Sequence, residues 1–132
     1  MEISPTVLEG VRQIAAAVLE TDLAEVQPQE LFFGSVLAGD SLGLLEMSFR
    51  LERQFGVRVR FNDLTADAIE LDGEGRLTPA SLALLRTRFP FLKLEGFETR
   101  PLQSRTDLLT IEAIAGFVQM ALDAREATAT AR

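Results

Sequence analysis

One short run of this sequence combines residue types that could do chemistry with a backbone junction suited to it. Gly39-Asp40-Ser41-Leu42 lies where a long stretch containing Pro28, Gly34 and Gly39 gives way to helical apolar spacing. The first N–H groups of a helix lack intrahelical acceptors, and the helix dipole is positive at that end. A phosphate esterified to Ser41 would be stabilised by both features. The hydroxyl would also project from the helix end, where a modifying enzyme can reach it, and Gly39 would let the chain turn sharply into the helix. By itself, however, the tripeptide Asp-Ser-Leu before a helix is more often a plain N-cap. A second run, Glu70-Leu71-Asp72-Gly73-Glu74-Gly75-Arg76-Leu77, spaces oxygen donors around a glycine as a calcium loop does. The place of the final bidentate Glu is held by Ser81 and no suitable entering helix precedes the run, so a Gly-rich surface turn is the better reading. Metal ligation is therefore not expected.

Composition removes most other chemistry. The 132 residues include no His, no Cys, no Trp and no Tyr. A Ser-His relay, a thiol nucleophile and a Cys/His zinc site are excluded. Lys93 is the single lysine. No clustered carboxylates with catalytic spacing are visible, so an enzyme is not expected. The net charge of -7 would repel a phosphate backbone, which argues against nucleic-acid binding and suits docking onto basic surfaces or simple solubility. The absence of Cys fits a reducing cytoplasm. The start, Met1-Glu2-Ile3-Ser4-Pro5, has neither the basic nor the apolar region of a signal peptide. No apolar run approaches the roughly 18 residues needed to span a membrane.

The elements that must position Ser41 follow from periodicity and caps. Ser4-Pro5 is a cap-plus-Pro start, and Val7, Leu8, Val11, Ile14, Ala15 and Val18 recur at helical spacing, predicting a helix over residues 5–20 with Glu9, Arg12, Gln13 and Ala16 facing solvent. Residues 21–40 form a long connection whose Leu31, Phe32, Phe33, Val36 and Leu37 require it to pack on the helices. The second helix begins at Asp40-Ser41-Leu42 and stops at Gly56. Its buried side is predicted to carry Leu45, Phe49 and Phe55, flanked by Leu44 and Leu51. The run from Val57 to Phe61 alternates with period two but has no partner strand, so an extended connector is expected. Thr78-Pro79 opens a helix over residues 79–88, ended by Pro90. Thr110 caps a last helix with Ile111, Ile114, Phe117, Val118 and Leu122 as its stripe, and residues 124–132 are expected to fray. The fold class is all-α: a single domain over residues 1–132, with three main helices and one in an insertion.

At this point the sequence resembles the acyl carrier protein family. Asp40-Ser41-Leu42 is followed without a gap by Glu46, Leu51-Glu52 and Phe55-Gly56-Val57, and downstream Leu108 to Ile114 with Phe117-Val118 is similar to the family's final helix. The resemblance covers about residues 7–61 and 107–122. It implies an acyl-carrier-like four-helix bundle, and a 4′-phosphopantetheine arm placed on Ser41 by a phosphopantetheinyl transferase from CoA with Mg²⁺. The arm's thiol would carry acyl groups as thioesters, to be presented to acyl-transferring and acyl-modifying enzymes of fatty-acid, lipid or polyketide synthesis. A cytoplasmic monomer is implied. Asp40 would help engage the transferase, or would simply be an acidic residue favoured at a helix start. Leu42, Glu46, Met47 and Arg50 would form the docking face for partners; the alternative for Leu42 is core packing and for Glu46 a solvated face. Asp40 directly before Ser41 favours the acyl over the peptidyl type of carrier. A carrier-like fold serving as an interaction or calcium-binding module is the other reading.

The departures are specific. Arg50 and Arg53 stand among Glu46 and Glu52 on a helix that is usually acidic in the family, and Gly43 follows Leu42. Residues 62–104 separate the second and last long helices. The insertion's Phe89, Phe91, Leu92, Leu94 and Phe97 would either enlarge the core or cover an acyl pocket or docking surface, with enlargement of the core favoured.

Overall fold

The computed structural model describes residues 2–59, 61, 69–92, 94 and 108–130. Among the described residues four helices form: α1 (Pro5–Leu19), α2 (Ser41–Phe55), α3 (Pro79–Arg88) and α4 (Ile111–Thr130). A 3-10 turn at Leu23–Glu25 lies in the long connection. No β-strand forms among the described residues, only isolated bridges. The architecture is an all-α bundle in which α1 packs on both α2 and α4, and α2 also meets α4.

Local signals set the boundaries. Pro5 occupies the first turn of α1, where its missing N–H costs nothing. The Ser4 side chain makes no cap; instead the Ser4 N–H donates to Oε1 of Gln119 (3.0 Å), joining the start of α1 to α4. Thr78 accepts from the Ser81 N–H (3.2 Å) and Thr110 from the Ala113 N–H (3.0 Å), so both threonines cap as their positions predict. Gly56 ends α2 in the left-handed region (φ 72°).

Helix α2 is apolar on two opposite faces. Leu44, Met47, Leu51 and Phe55 recur at i, i+3, i+7 and i+11 and form the inner stripe. Met47 and Leu51 are fully buried, each contributing roughly 1.5–3 kcal/mol by leaving water. Gly10 of α1 makes room for this stripe: a Cβ there would lie 2.7 Å from Cζ of Phe55. The second stripe, Leu42, Leu45 and Phe49, faces solvent. This corrects the expectation that Leu45 and Phe49 are buried.

The insertion joins the core through aromatic packing. Phe89, Phe91 and Leu94 are buried, and the Phe91 and Phe89 rings lie 5.1 and 5.2 Å from that of Phe117 on α4. Phe61 stacks edge-on to the same Phe117 at 5.6 Å. Gly116 gives Phe91 its seat, since a Cβ there would overlap the ring at Cδ2 and Cγ. Phe97, also assigned to this cluster by the sequence, lies outside the described residues.

Helix α4 runs on to Thr130, past the point where core residues end and where fraying is expected. Part of the reason is Arg125, whose Nη1 donates to the carbonyl oxygens of Phe55 and Gly56 (both 3.3 Å) at the end of α2. A cation there meets the negative end of the α2 dipole. None of the described helices is long and apolar enough to cross a membrane.

Candidate functional site

Ser41 is the first residue of α2, and its side chain is exposed. The cap is made by its neighbour. Asp40 has extended backbone (φ -130°, ψ 179°), and its Oδ1 accepts from the Gly43 N–H at 2.7 Å. The Leu44 N–H closes the first intrahelical bond on the Asp40 carbonyl oxygen (3.0 Å). Ser41 therefore has no capping duty, and no hydrogen bond of its hydroxyl occurs among the described residues. The plain-cap reading belongs to Asp40. What remains at Ser41 is a free hydroxyl at the positive end of a helix, beside first-turn N–H groups that an anion can use.

The approach to Ser41 is built by Phe32. This residue is fully buried in the long connection. Its carbonyl oxygen accepts from the Gly39 N–H (2.8 Å), and its own N–H donates to the Leu109 carbonyl (3.0 Å). A Cβ at Gly39 would lie 2.5 Å from Cε1 and 2.6 Å from the carbonyl oxygen of Phe32. Gly39 is thus required by close approach rather than by a left-handed backbone. The left-handed residue is Ala38 (φ 50°), a conformation that costs a non-glycine residue roughly 1–2 kcal/mol. Gly43 sits over the same ring: a Cβ there would be 3.2 Å from Asp40 Oδ1 and 3.6 Å from Phe32 Cζ. Its small size serves the cap and the packing beneath it.

Two further anchors hold the connection. The Arg12 Nε donates to the Val26 carbonyl (2.7 Å) and its Nη2 to the Leu23 carbonyl (3.1 Å), while Nη1 pairs with Glu9 (2.8 Å). Arg12, assigned to the solvent face from its spacing, instead reaches over the loop. At the other end, carbonyls of Pro28 and Glu30 accept from the Glu112 and Ile111 N–H groups (2.9 and 3.0 Å), and Leu31 bridges Thr110. Two of the orphan donors of α4 are thereby satisfied by the loop that leads to Ser41. Arg12 and Phe32 carry no local sequence signal for these roles, because their partners are brought in by the tertiary fold.

Of the residues expected to form a docking face, Leu42, Glu46 and Arg50 lie on the accessible side of α2, with Glu46 and Arg50 paired at 2.8 Å. Met47 does not: it is fully buried on the inner stripe and cannot meet a partner. The acidic turn at residues 70–77 is closed by its own backbone. The Asp72 carboxylate accepts from the Glu74 N–H (2.8 Å) and the Arg76 N–H (3.0 Å), and these bonds, that of Arg76 first, hold its pKa below the usual 3.8. Ser81 is buried, and its Oγ accepts from the Glu70 N–H (2.7 Å).

These features define a helical domain that offers an exposed, unengaged serine hydroxyl at the start of its second helix. Residues 9–69 match the family model described as a phosphopantetheine attachment site. Polyketide-8 synthase acyl carrier protein 2 of Streptomyces avermitilis is 41% identical over 58 residues, which are 44% of this chain and 66% of that protein. The chain thus spans just under two thirds of this relative's length. No solved structure matches the chain. Over residues 9–69 the chain is similar to acyl carrier proteins. The group named for that attachment site is phosphopantetheine.

Proposed function

We propose that Ser41 is the hydroxyl to which 4′-phosphopantetheine is joined, and that the protein carries acyl groups for partner enzymes of a biosynthetic assembly. The observation that carries this reading is the division of labour at the start of α2: Asp40 caps the helix and leaves Ser41 exposed and unengaged. In the joining step, Ser41 Oγ attacks the pyrophosphate of CoA at the phosphorus bearing the pantetheine. A phosphodiester forms, adenosine 3′,5′-bisphosphate leaves, and the hydroxyl proton passes to a base of the transferase. The attached arm supplies a thiol that holds acyl groups as thioesters, which this Cys-free chain lacks.

Among acyl carriers, polyketide synthesis is favoured over fatty-acid or lipid synthesis by the likeness to a polyketide synthase acyl carrier protein of Streptomyces avermitilis. Asp40 before Ser41 favours an acyl over a peptidyl cargo. Incubation with CoA, Mg²⁺ and a promiscuous phosphopantetheinyl transferase, followed by intact mass measurement, tests the assignment. Wild type gains the mass of one phosphopantetheine group and Ser41→Ala gains none. An equal gain in both, or no gain in wild type, refutes it.

A further inference from the structure

We propose that Asp40 opposes the arm it stands beside: once a phosphodiester is joined to Ser41, two anions share one helix end, and attachment weakens the start of α2. This rests on the reading of Ser41 given above. The Asp40 carboxylate already holds the Gly43 N–H at 2.7 Å, and a Cβ at Gly43 would lie 3.2 Å from the same oxygen. Ser41, the next residue, opens the helix with an exposed side chain. A group esterified to its hydroxyl therefore enters the turn that the carboxylate occupies. The start of a helix carries roughly half a positive charge, whereas Asp40 brings a whole negative one. A second anion meets net repulsion there, although a bare helix start would attract it.

Among the described residues no ion pair includes Asp40, and the first cation of α2, Arg50, is held by Glu46 at 2.8 Å. The Ser41 and Leu42 N–H groups have no intrahelical acceptor and can still donate to a phosphodiester, but those bonds form against the field of Asp40. The carboxylate cannot swing away without leaving the Gly43 N–H unpaired. The cap and the phosphodiester thus cannot both be held at full strength. The chain carries its arm on a first turn that opens more readily than that of the unmodified protein. Asp40 and Ser41 are both exposed, so dissolved salt screens the repulsion.

The test compares urea midpoints of the whole chain before and after loading by the promiscuous transferase, with attachment verified by intact mass. At about 50 mM NaCl, attachment should lower the wild-type midpoint by about 0.2 M, and at about 500 mM that fall should be at least halved. Asp40→Asn keeps a side-chain cap and removes the charge. In that variant attachment should raise the midpoint, because the helix start is then free to attract the phosphodiester. Glu46→Gln removes a carboxylate more than a turn into α2 and should leave the fall as in wild type, since the field of a helix end is confined to its first turn. A wild-type midpoint that rises or stays on attachment at low salt, a fall that salt does not reduce, or an equal fall in Asp40→Asn overturns the inference and leaves Ser41 as the attachment point. If Asp40→Asn takes up no arm, the wild-type midpoints at the two salt concentrations decide alone. A wild type that gains no mass, or a Ser41→Ala variant that does, overturns the attachment reading and this inference with it.

Discussion

Gly116→Ala probes how the insertion is anchored, because two effects of known size oppose each other at that position. Ala is the better helix former by about 1 kcal/mol in a helix interior, so propensity alone predicts stabilisation. Against this, the new methyl would overlap the Phe91 ring at Cδ2 and Cγ. Position 116 lies well inside α4, where the backbone cannot yield without breaking helical bonds. The ring must move instead, and it is buried between Phe117 and Phe89 at 5.1 and 6.0 Å. Overpacking of this kind costs about 1–3 kcal/mol, which, offset by the propensity gain, leaves a net loss of up to about 2 kcal/mol. In a Phe91→Ala background the ring is gone, and the same substitution should stabilise by about 1 kcal/mol. Urea unfolding of the four proteins of this cycle measures both values, and the sign should reverse between backgrounds. If Gly116→Ala stabilises equally in both, Phe91 is not seated on α4 and the account of the insertion's anchoring is refuted.

Asp40→Ala removes the side-chain cap of α2 and should destabilise by about 1 kcal/mol in urea unfolding, while Asp40→Asn should retain most of that stability; equal losses in both would show that the cap bond to Gly43 is not what matters. Asp72 gives a pH prediction. Its folded pKa is lowered by the Arg76 and Glu74 N–H groups, so its contribution to the turn is complete above the unfolded value and is lost as pH falls through the folded one. The amide shifts of Glu74 and Arg76 should titrate together with a midpoint below 3.8, and a midpoint above that value would contradict the observed bonds.

Much of the site was legible because its signals are local. Pro5, Thr78-Pro79, Thr110 and Gly56 mark helix ends through backbone chemistry that depends on a few neighbouring residues, and the helices begin and end where those residues predict. The exposed serine at the start of α2 was legible for the same reason. Which residue performs the cap was not, because Asp and Ser are both good caps and stand side by side. The backbone chose Asp40, whose extended conformation aims its carboxylate at the Gly43 N–H.

The amino-acid sequence by itself determined the four helices of the described residues, where they begin and where the first three end, and that a serine without any competing His or Cys chemistry opens the second. Only the tertiary structure decided which face of α2 is core. Leu42, Leu45 and Phe49 have the same helical spacing as Leu44, Met47 and Leu51, so periodicity cannot choose between them. The choice comes from the helices opposite: α1 offers Gly10 to Phe55, and α4 closes against the same side. That is why Met47 is lost to the interior while Phe49 stays in water beside Ser41. It is also why Arg12 and Phe32, which hold the loop before Ser41, show their roles only in the folded chain: the carbonyl and N–H groups they bind are brought together by the packing of α1 and α4.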